Sequence, residues 1–380
     1  MATDMPNPTF TGDSLVDLGW DPGWATAFLP YDAAGLVPAR VVAAHRDAWV
    51  VAQPGDAADT TATVSGRFRH EAFGAGDFPA VGDWVAVAAA RSDGSPTVVQ
   101  AVLPRRTAFM RSAGEERLAG NLAAEQVLAS NVDVAFVVAG MDGDFNLRRI
   151  ERYLAVAWSG GATPVIVLNK ADVAADVDGL RVAATAVAPG VEVHAISALN
   201  GDGVEALRDA HLARGRTAVV LGSSGVGKST LVNALAGEAR QRTASVREDD
   251  SRGRHTTTHR ELVRLPGGAL LIDTPGIRSL GVAGAGDGLD AAFADIADLA
   301  LTCRFSDCRH AGEPGCAIAA ALSDGTLSAD RLASHRKLER EAAYVARAND
   351  PLLQAEERRK WKAIHVAVNQ QMRRKYGDDR

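Results

Sequence analysis

Short apolar runs broken by turn residues fill the first part of the chain, and longer apolar runs alternating with helical periodicity fill the middle. Between residues 36 and 108, β-type runs occur at 41–42, 48–51, 61–64, 81–87 and 97–102. Turn residues separate them, among them Pro54-Gly55-Asp56, Gly74 to Asp77 and Asp93 to Pro96. About five short strands at this spacing predict a small closed barrel, and an OB-type β-barrel is the expectation for 36–108. Residues 1–35 are rich in Pro, Gly and Asp with little periodicity, so a flexible N-terminal extension is expected there.

From residue 130 the texture changes. Apolar strand candidates at 132–139, 164–168, 191–196 and 217–221 alternate with helical stretches at 147–159, 179–188 and 204–210. Strands alternating with helices predict an α/β unit, a parallel sheet covered on both faces, over 109–280. Residues 281–288, Gly-rich, read as a flexible joint. Beyond them, 289–380 is mostly helical in pattern and carries all three cysteines, so 281–380 is expected to be a zinc-binding helical domain with a basic C-terminal helix.

Composition narrows the class. The chain has 380 residues, room for two or three domains, and 47% hydrophobic residues with 23% charged, the balance of a folded protein with real cores. No apolar run reaches the roughly 20 residues that cross a bilayer, and the N-terminus lacks the basic start and apolar stretch of a signal peptide. Three cysteines in this length argue for a reducing compartment, so a cytoplasmic protein is expected. The net charge of −6 hides an uneven spread. Eight bases against four acids after residue 350 make that end locally basic, including Arg358-Arg359-Lys360-Trp361-Lys362 and Arg373-Arg374-Lys375. Such runs suit phosphate backbones, though they equally suit a solvated helix face. Arg67-Phe68-Arg69-His70 and Arg105-Arg106 add a modest pairing of cations with an aromatic in the barrel.

The chemistry concentrates in four motifs at expected strand ends. Gly222-Ser223-Ser224-Gly225-Val226-Gly227-Lys228-Ser229, followed by Thr230, fits the phosphate loop between a strand and the helix at 228–236. Its glycines turn backbone N–H groups onto phosphates, Lys228 reaches the β and γ phosphates, and Ser229 ligates magnesium. Asn169-Lys170-Ala171-Asp172 selects the base, because the Asp172 carboxylate accepts from guanine N1–H and the 2-amino group, donors that adenine lacks together. Asn169 could bond the base edge or tie neighbouring loops, and the Lys170 stem could lie along the ring. Asp273-Thr274-Pro275-Gly276 matches D-x-x-G, with Asp273 holding magnesium through water and the Gly276 N–H sensing the γ phosphate. At Ser197-Ala198-Leu199 the Ala198 N–H could bond guanine O6, a reading that position alone supports. These pieces together predict GTP or GDP with Mg²⁺.

Their order is permuted: the base-selecting motifs precede the phosphate loop. The same sheet can still form, since moving the termini leaves strand contacts unchanged. The chain after D-x-x-G then leads directly into the C-terminal region, so switch movements could pass there. Between phosphate loop and D-x-x-G lie His255, Thr256, Thr257 and Thr258; Thr257 is favoured to complete the magnesium shell. Ile277 stands where many GTPases carry a water-orienting glutamine, so slow intrinsic hydrolysis is expected, with His255 the candidate to place the water. His255 as a solvated loop residue is the competing reading, and His259 reads as the start of a strand.

Cys303, Cys308, His310 and Cys316 crowd every cysteine of the chain into fourteen residues with one histidine. Three thiolates and an imidazole make a closed tetrahedral set suited to one structural Zn²⁺; three buried thiols are the alternative.

With these residues assembled, the chain resembles the bacterial ribosome small-subunit-dependent GTPase A family. The resemblance covers Val81-Gly82-Asp83-Trp84-Val85, the four nucleotide motifs, 253–258 and the zinc quartet, about nine-tenths of the chain. It implies an N-terminal OB fold, a circularly permuted GTPase domain and a C-terminal zinc domain. It also implies late maturation of the small ribosomal subunit, turnover stimulated by that subunit and its rRNA, and hydrolysis promoting release. A role for His255 in hydrolysis follows from the same likeness, and a monomer is expected. The alternative is a nucleotide-gated rRNA-binding factor in which hydrolysis is incidental.

Overall fold

The computed structural model describes residues 15–45, 47–54, 59–88, 96–111, 126–237, 260–273 and 286–349. The first sheet element, β1 (Val37–Ala44), bends at a bulge between Val41 and Ala43 and pairs on both edges. It is followed by β2 (Trp49–Ala52), β3 (Thr60–Val64), the short helix α2 (Gly66–Glu71), β4 (Trp84–Val87) and β5 (Thr97–Val102). The order β1-β2-β3-β5-β4 closes on itself through β1–β4, with β3 parallel to β5. This is an OB-type barrel, filled by Val41, Val51, Val85, Val87 and Val99.

The expected barrel run at 81–87 begins with a turn rather than strand. Gly82 has φ +95°, and a Cβ there would lie 2.2 Å from the Ser130 carbonyl oxygen. Asp83 is fully buried, accepts from the Ala80 N–H and holds Arg105 in a two-pronged ion pair.

Part of the expected flexible extension is folded. Helix α1 (Pro22–Asp32) is capped by the Asp21 carboxylate, which accepts from the N–H groups of Gly23 and Trp24. Its Trp24 and Phe28 are buried, and neighbouring Trp20 meets Trp84 edge-on at 4.6 Å. Aromatic burial outweighs the weak local periodicity. Arg106 lies 4.0 Å over the Trp24 ring and pairs with Asp21, and Arg105 is held by Asp83. The Arg105-Arg106 pair, expected to face nucleic acid, is thus largely engaged within the protein. Residues 1–14 and the basic runs at 358–375 lie outside the described residues.

A hairpin not expected from the pattern, β6 (Ala108–Arg111) with β7 (Gln126–Ser130), leads into the α/β region. There follow β8 (Val134–Gly140), α3 (Leu147–Ser159), β9 (Thr163–Asn169), α4 (Val177–Ala186), β10 (Val193–Ala195), α5 (Val204–His211), β11 (Thr217–Leu221), α6 (Lys228–Ala236), β12 (Arg260–Arg264) and β13 (Leu270–Asp273). The order β10-β9-β8-β11-β13 is parallel throughout, and β12 joins antiparallel beside β13. Alternate residues of β8 enter opposite cores. Ala135 and Val137 pack with Ile150 and Leu154 of α3, whereas Phe136 and Val138 pack with Leu207 of α5 and Leu231 of α6. This is the circularly permuted α/β sheet, covered on both faces.

Barrel and α/β sheet are one continuous eleven-stranded sheet, because β12 pairs with β1 through Ala43↔Glu261 and Ala44↔Arg260. Buried Arg40 reinforces the junction, donating to the carbonyl oxygens of Leu18, Gly82 and Asn131 and to the Thr217 hydroxyl.

The C-terminal region is helical: α7 (Gly286–Ala292), α8 (Ala294–Leu301), α9 (Ala317–Asp324) and α10 (Ala329–Asn349). Residues 286–288, expected in a flexible joint, form the start of α7. A Cβ at Gly288 would come within 2.1 Å of the Ser159 hydroxyl, so this glycine permits close packing of α7 on α3 rather than flexibility. Arg331 of α10 is buried and donates to Asp295, Glu151, and the Val187 and Ala292 carbonyl oxygens. Arg152 of α3 forms a two-pronged pair with Glu341. The helical region is therefore bound to the α/β unit chiefly through α3. No described helix is long and apolar enough to cross a membrane.

Candidate functional site

Parallel strands bring their carboxyl ends to one edge, and in open α/β sheets ligands bind there. That edge gathers Asn169 at the end of β9, Ser197 after β10, Gly222 after β11 and Asp273 at the end of β13. Chain order does not matter to this convergence, since the four strands sit within one sheet.

The phosphate loop turns as its glycines require. Gly222 has φ +150° with the Val138 carbonyl oxygen 2.5 Å from where a Cβ would sit. Gly227 has φ +89°, and a Cβ there would strike the Asn169 amide nitrogen at 2.2 Å. Helix α6 starts at Lys228 immediately after, so its N-terminal N–H groups and positive dipole end face the loop. Ser224 and Gly225 are exposed, while Ser223, Lys228, Ser229 and Thr230 are half-buried and Val226 is buried. The Lys228 ammonium donates to the Ser223 carbonyl oxygen across the loop.

Asn169 is 2% exposed and ties loops together. Its amide donates to the Val226 carbonyl oxygen of the phosphate loop at 2.9 Å, and its oxygen accepts from the Ala198 N–H at 2.9 Å. Of the two roles open to Asn169, the geometry realises the tie. The Ala198 N–H, expected to meet guanine O6, is directed to Asn169 here. Asp172 is oriented by the Ser197 hydroxyl, which donates to it at 2.6 Å and in turn accepts from the Asn200 N–H. Lys170 has φ +70°, and its ammonium pairs with Asp142 at 2.5 Å. That hydrogen bond holds the Asp142 carboxyl below its ordinary range. Ala171 begins a short 3-10 turn after Lys170, and Leu199 is largely exposed beside it.

Sequence reasoning missed a cluster beside the phosphate loop. Arg149, in the first turn of α3, pairs with Asp144 at 2.6 Å and reaches the Ser223 hydroxyl at 3.3 Å. Their separation along the chain leaves no spacing signal. His255, Thr256, Thr257, Thr258 and Gly276 lie outside the described residues, so this geometry does not include them.

The Cys₃His set is also brought together. Cys303 Sγ and Cys316 Sγ each lie 3.6 Å from His310 Nδ1, and all four ligand atoms fall within 4.8 Å of one another. A zinc tetrahedron with ordinary Zn–S and Zn–N bonds has S···N edges of about 3.6 Å, so the donor set fits that ion. His310 adopts φ +56°, which turns its ring toward the sulfurs. Cys316 caps α9, its sulfur accepting from the Ala319 N–H. The Cys308 thiol is pushed up to about 11: the His310 N–H pulls it down, but desolvation and the Cys316 and Cys303 thiols more than reverse that.

The arrangement matches known proteins. The sequence model of the RsgA GTPase family matches residues 102–283. A protein of Opitutus terrae named small ribosomal subunit biogenesis GTPase RsgA is 49% identical over 360 residues, 93% of this chain and 96% of that protein. One of the same name from Streptomyces coelicolor is 46% identical, with 92% of each chain covered. Among solved structures, YjeQ from Thermotoga maritima superposes with a TM-score of 0.59 at 24% identity, over 81% of this chain and 99% of that one. YloQ, described as a circularly permuted GTPase, gives 0.55 at 23% identity, over 81% and 95%. The structural likenesses speak for the fold, and the sequence likenesses span nearly the whole chain. The chain belongs to the RsgA family of GTPases.

Proposed function

We propose that this protein binds and hydrolyses GTP during late maturation of the small ribosomal subunit. The carrying observation is Asn169, which joins the base-selecting loop to both the phosphate loop and the Ser197-Ala198 loop. One buried amide thereby couples recognition of the base to the shape of the phosphate cradle. Asp172, oriented by Ser197, accepts from guanine N1–H and the 2-amino group. Lys228 exchanges the Ser223 carbonyl oxygen for β- and γ-phosphate oxygens, and the N–H groups from Gly222 to Thr230 line the remaining charge. Ser229, Thr257 and Asp273 are the residues that would hold Mg²⁺, which neutralises charge on the β and γ phosphates. The Gly276 N–H senses the γ phosphate, and His255 orients the attacking water. Cys303, Cys308, His310 and Cys316 hold one structural Zn²⁺.

In this reading the protein acts as a cytoplasmic monomer on the subunit and its rRNA. The subunit stimulates turnover, and hydrolysis promotes release. The working units are an N-terminal extension (1–35), the barrel (36–108), the permuted GTPase unit (109–280) and the helical zinc unit with its basic end (281–380).

The test is steady-state GTP hydrolysis with and without purified small subunits, with ATP as control. A low GTP-specific rate that rises many-fold with subunits is expected. An unchanged rate, together with normal release of a Lys228→Ala variant, would select the nucleotide-gated binding factor instead.

A further inference from the structure

A second cluster of metal-binding side chains lies away from both sites. Glu192 and His194 flank Val193 at the start of β10, and a strand's pleat places positions two apart on one face. His211 is the last residue of α5, 7% exposed, with its ring set edge-on to Phe136. The two imidazoles stand nearly perpendicular, at 87°, with Nε2 atoms 2.9 Å apart. Each Nε2 is 3.5 Å from the same Glu192 carboxylate oxygen.

We propose that Glu192, His194 and His211 form a second metal site, which takes a divalent first-row transition ion such as Zn²⁺. The three separations admit a point about 2.1 Å from every ligand atom and slightly off their plane, the position of a tetrahedral zinc with a fourth place open. Two imidazoles and one carboxylate select zinc, nickel or cobalt over magnesium and calcium, which prefer all-oxygen shells. Without an ion, one ring must donate its Nε2–H to the other, and the two rings cannot both be charged at this distance. An ion satisfies both lone pairs and the carboxylate at once. The Arg216 charge, felt at His211, works against a cation, and Glu192 offsets it. The Glu192 side chain is 67% exposed, so an ion can reach the cluster from solvent on that side.

The ion ties β10 to α5, the two elements joined by the loop that carries Ser197 and Ala198. Its effect on that loop rests on the guanine-site reading above; metal binding does not.

The experiment titrates the full chain, carrying one equivalent of zinc, with Co²⁺. A second equivalent is expected to bind with weak visible d–d bands and no added thiolate charge-transfer absorption, which separates it from the cysteine set. Glu192→Gln and His194→Gln should each weaken this equivalent at least about tenfold while leaving the first unchanged. Glu192 is exposed, so its variant keeps the fold. Uptake that stops at one equivalent, or equal affinity in wild type and both variants, overturns the site. Slower amide exchange at 196–203 on metal addition supports the tie across the loop; unchanged exchange with metal bound overturns the tie.

Discussion

Replacing Arg331 by Met tests what fastens the helical region to the α/β unit. Arg331 is 7% exposed and its partner Glu151 3% exposed. Methionine keeps the stem's packing near Phe293, whose ring lies 4.6 Å beneath the guanidinium. It removes both hydrogen bonds to Asp295, at 2.8 and 2.7 Å, and the one to Glu151 at 2.8 Å. It also strands two carbonyl oxygens, of Val187 and Ala292. Asp295 can recover water, but Glu151 cannot, so it stays as an uncompensated buried charge. Breaking a buried pair from one side costs about 3–5 kcal/mol. The assay is hydrogen exchange by mass spectrometry, because a multidomain chain need not unfold in two states. Protection should fall in α3 and α10 together while β1 to β5 keep theirs. Replacing the pair by apolar residues is often neutral, so Arg331→Met with Glu151→Leu should regain most of the loss. A single variant that loses under about 1 kcal/mol, the level of an exposed pair, would refute the reasoning.

Three further outcomes are expected. On the proposed guanine site, Asp172→Asn removes the charge that would accept from guanine N1–H and the 2-amino group, and should weaken GTP binding about ten- to hundredfold, with ATP binding unchanged, in fluorescent-nucleotide titrations. Arg40→Met removes four buried hydrogen bonds at the barrel junction, of whose acceptors the Gly82 carbonyl oxygen keeps the Asn131 amide, and should destabilise by at least about 2 kcal/mol, seen as a lower melting temperature. Burial raises the Asp295 carboxyl, but the Arg331 hydrogen bond and charge outweigh it and leave it below its ordinary range. A depressed carboxylate stabilises fully above its unfolded value near 3.9 and loses that stability as pH falls through the folded value. Acid titration of wild type should therefore show loss of α8–α10 docking below about pH 4, a step absent from Arg331→Met.

Much of this molecule was legible in its residues. The barrel strands, the parallel sheet and the four strand-end motifs were readable because each depends on local pattern: alternation, helical period, or glycines that a phosphate loop demands. The Cys₃His cluster was readable because rare residue types crowd together. What escaped reading depends on single residues with distant partners. Arg331 looks like any surface arginine until Glu151 arrives from 180 residues away. Arg149 meets Ser223 only after the sheet has formed. Helix α1 hides because its buried aromatics pack against Trp84 rather than against a face of their own. Residues 286–288 misled because glycine serves close approach as well as freedom of the chain.

The pairing of β1 with β12 limits how the molecule can be taken apart. A GTPase fragment cut free of its barrel would present β12 as an edge strand, held by β13 on one side and with the N–H and C=O groups at Arg260 and Glu261 bare on the other. Bare edges recruit other chains, so such a fragment is a template for aggregation. The barrel, cut free in turn, loses a neighbour for β1 but keeps its closure through β1 and β4. Inheritance of the two as one gene product then has a physical reason: the barrel shields the edge that the permuted sheet leaves open.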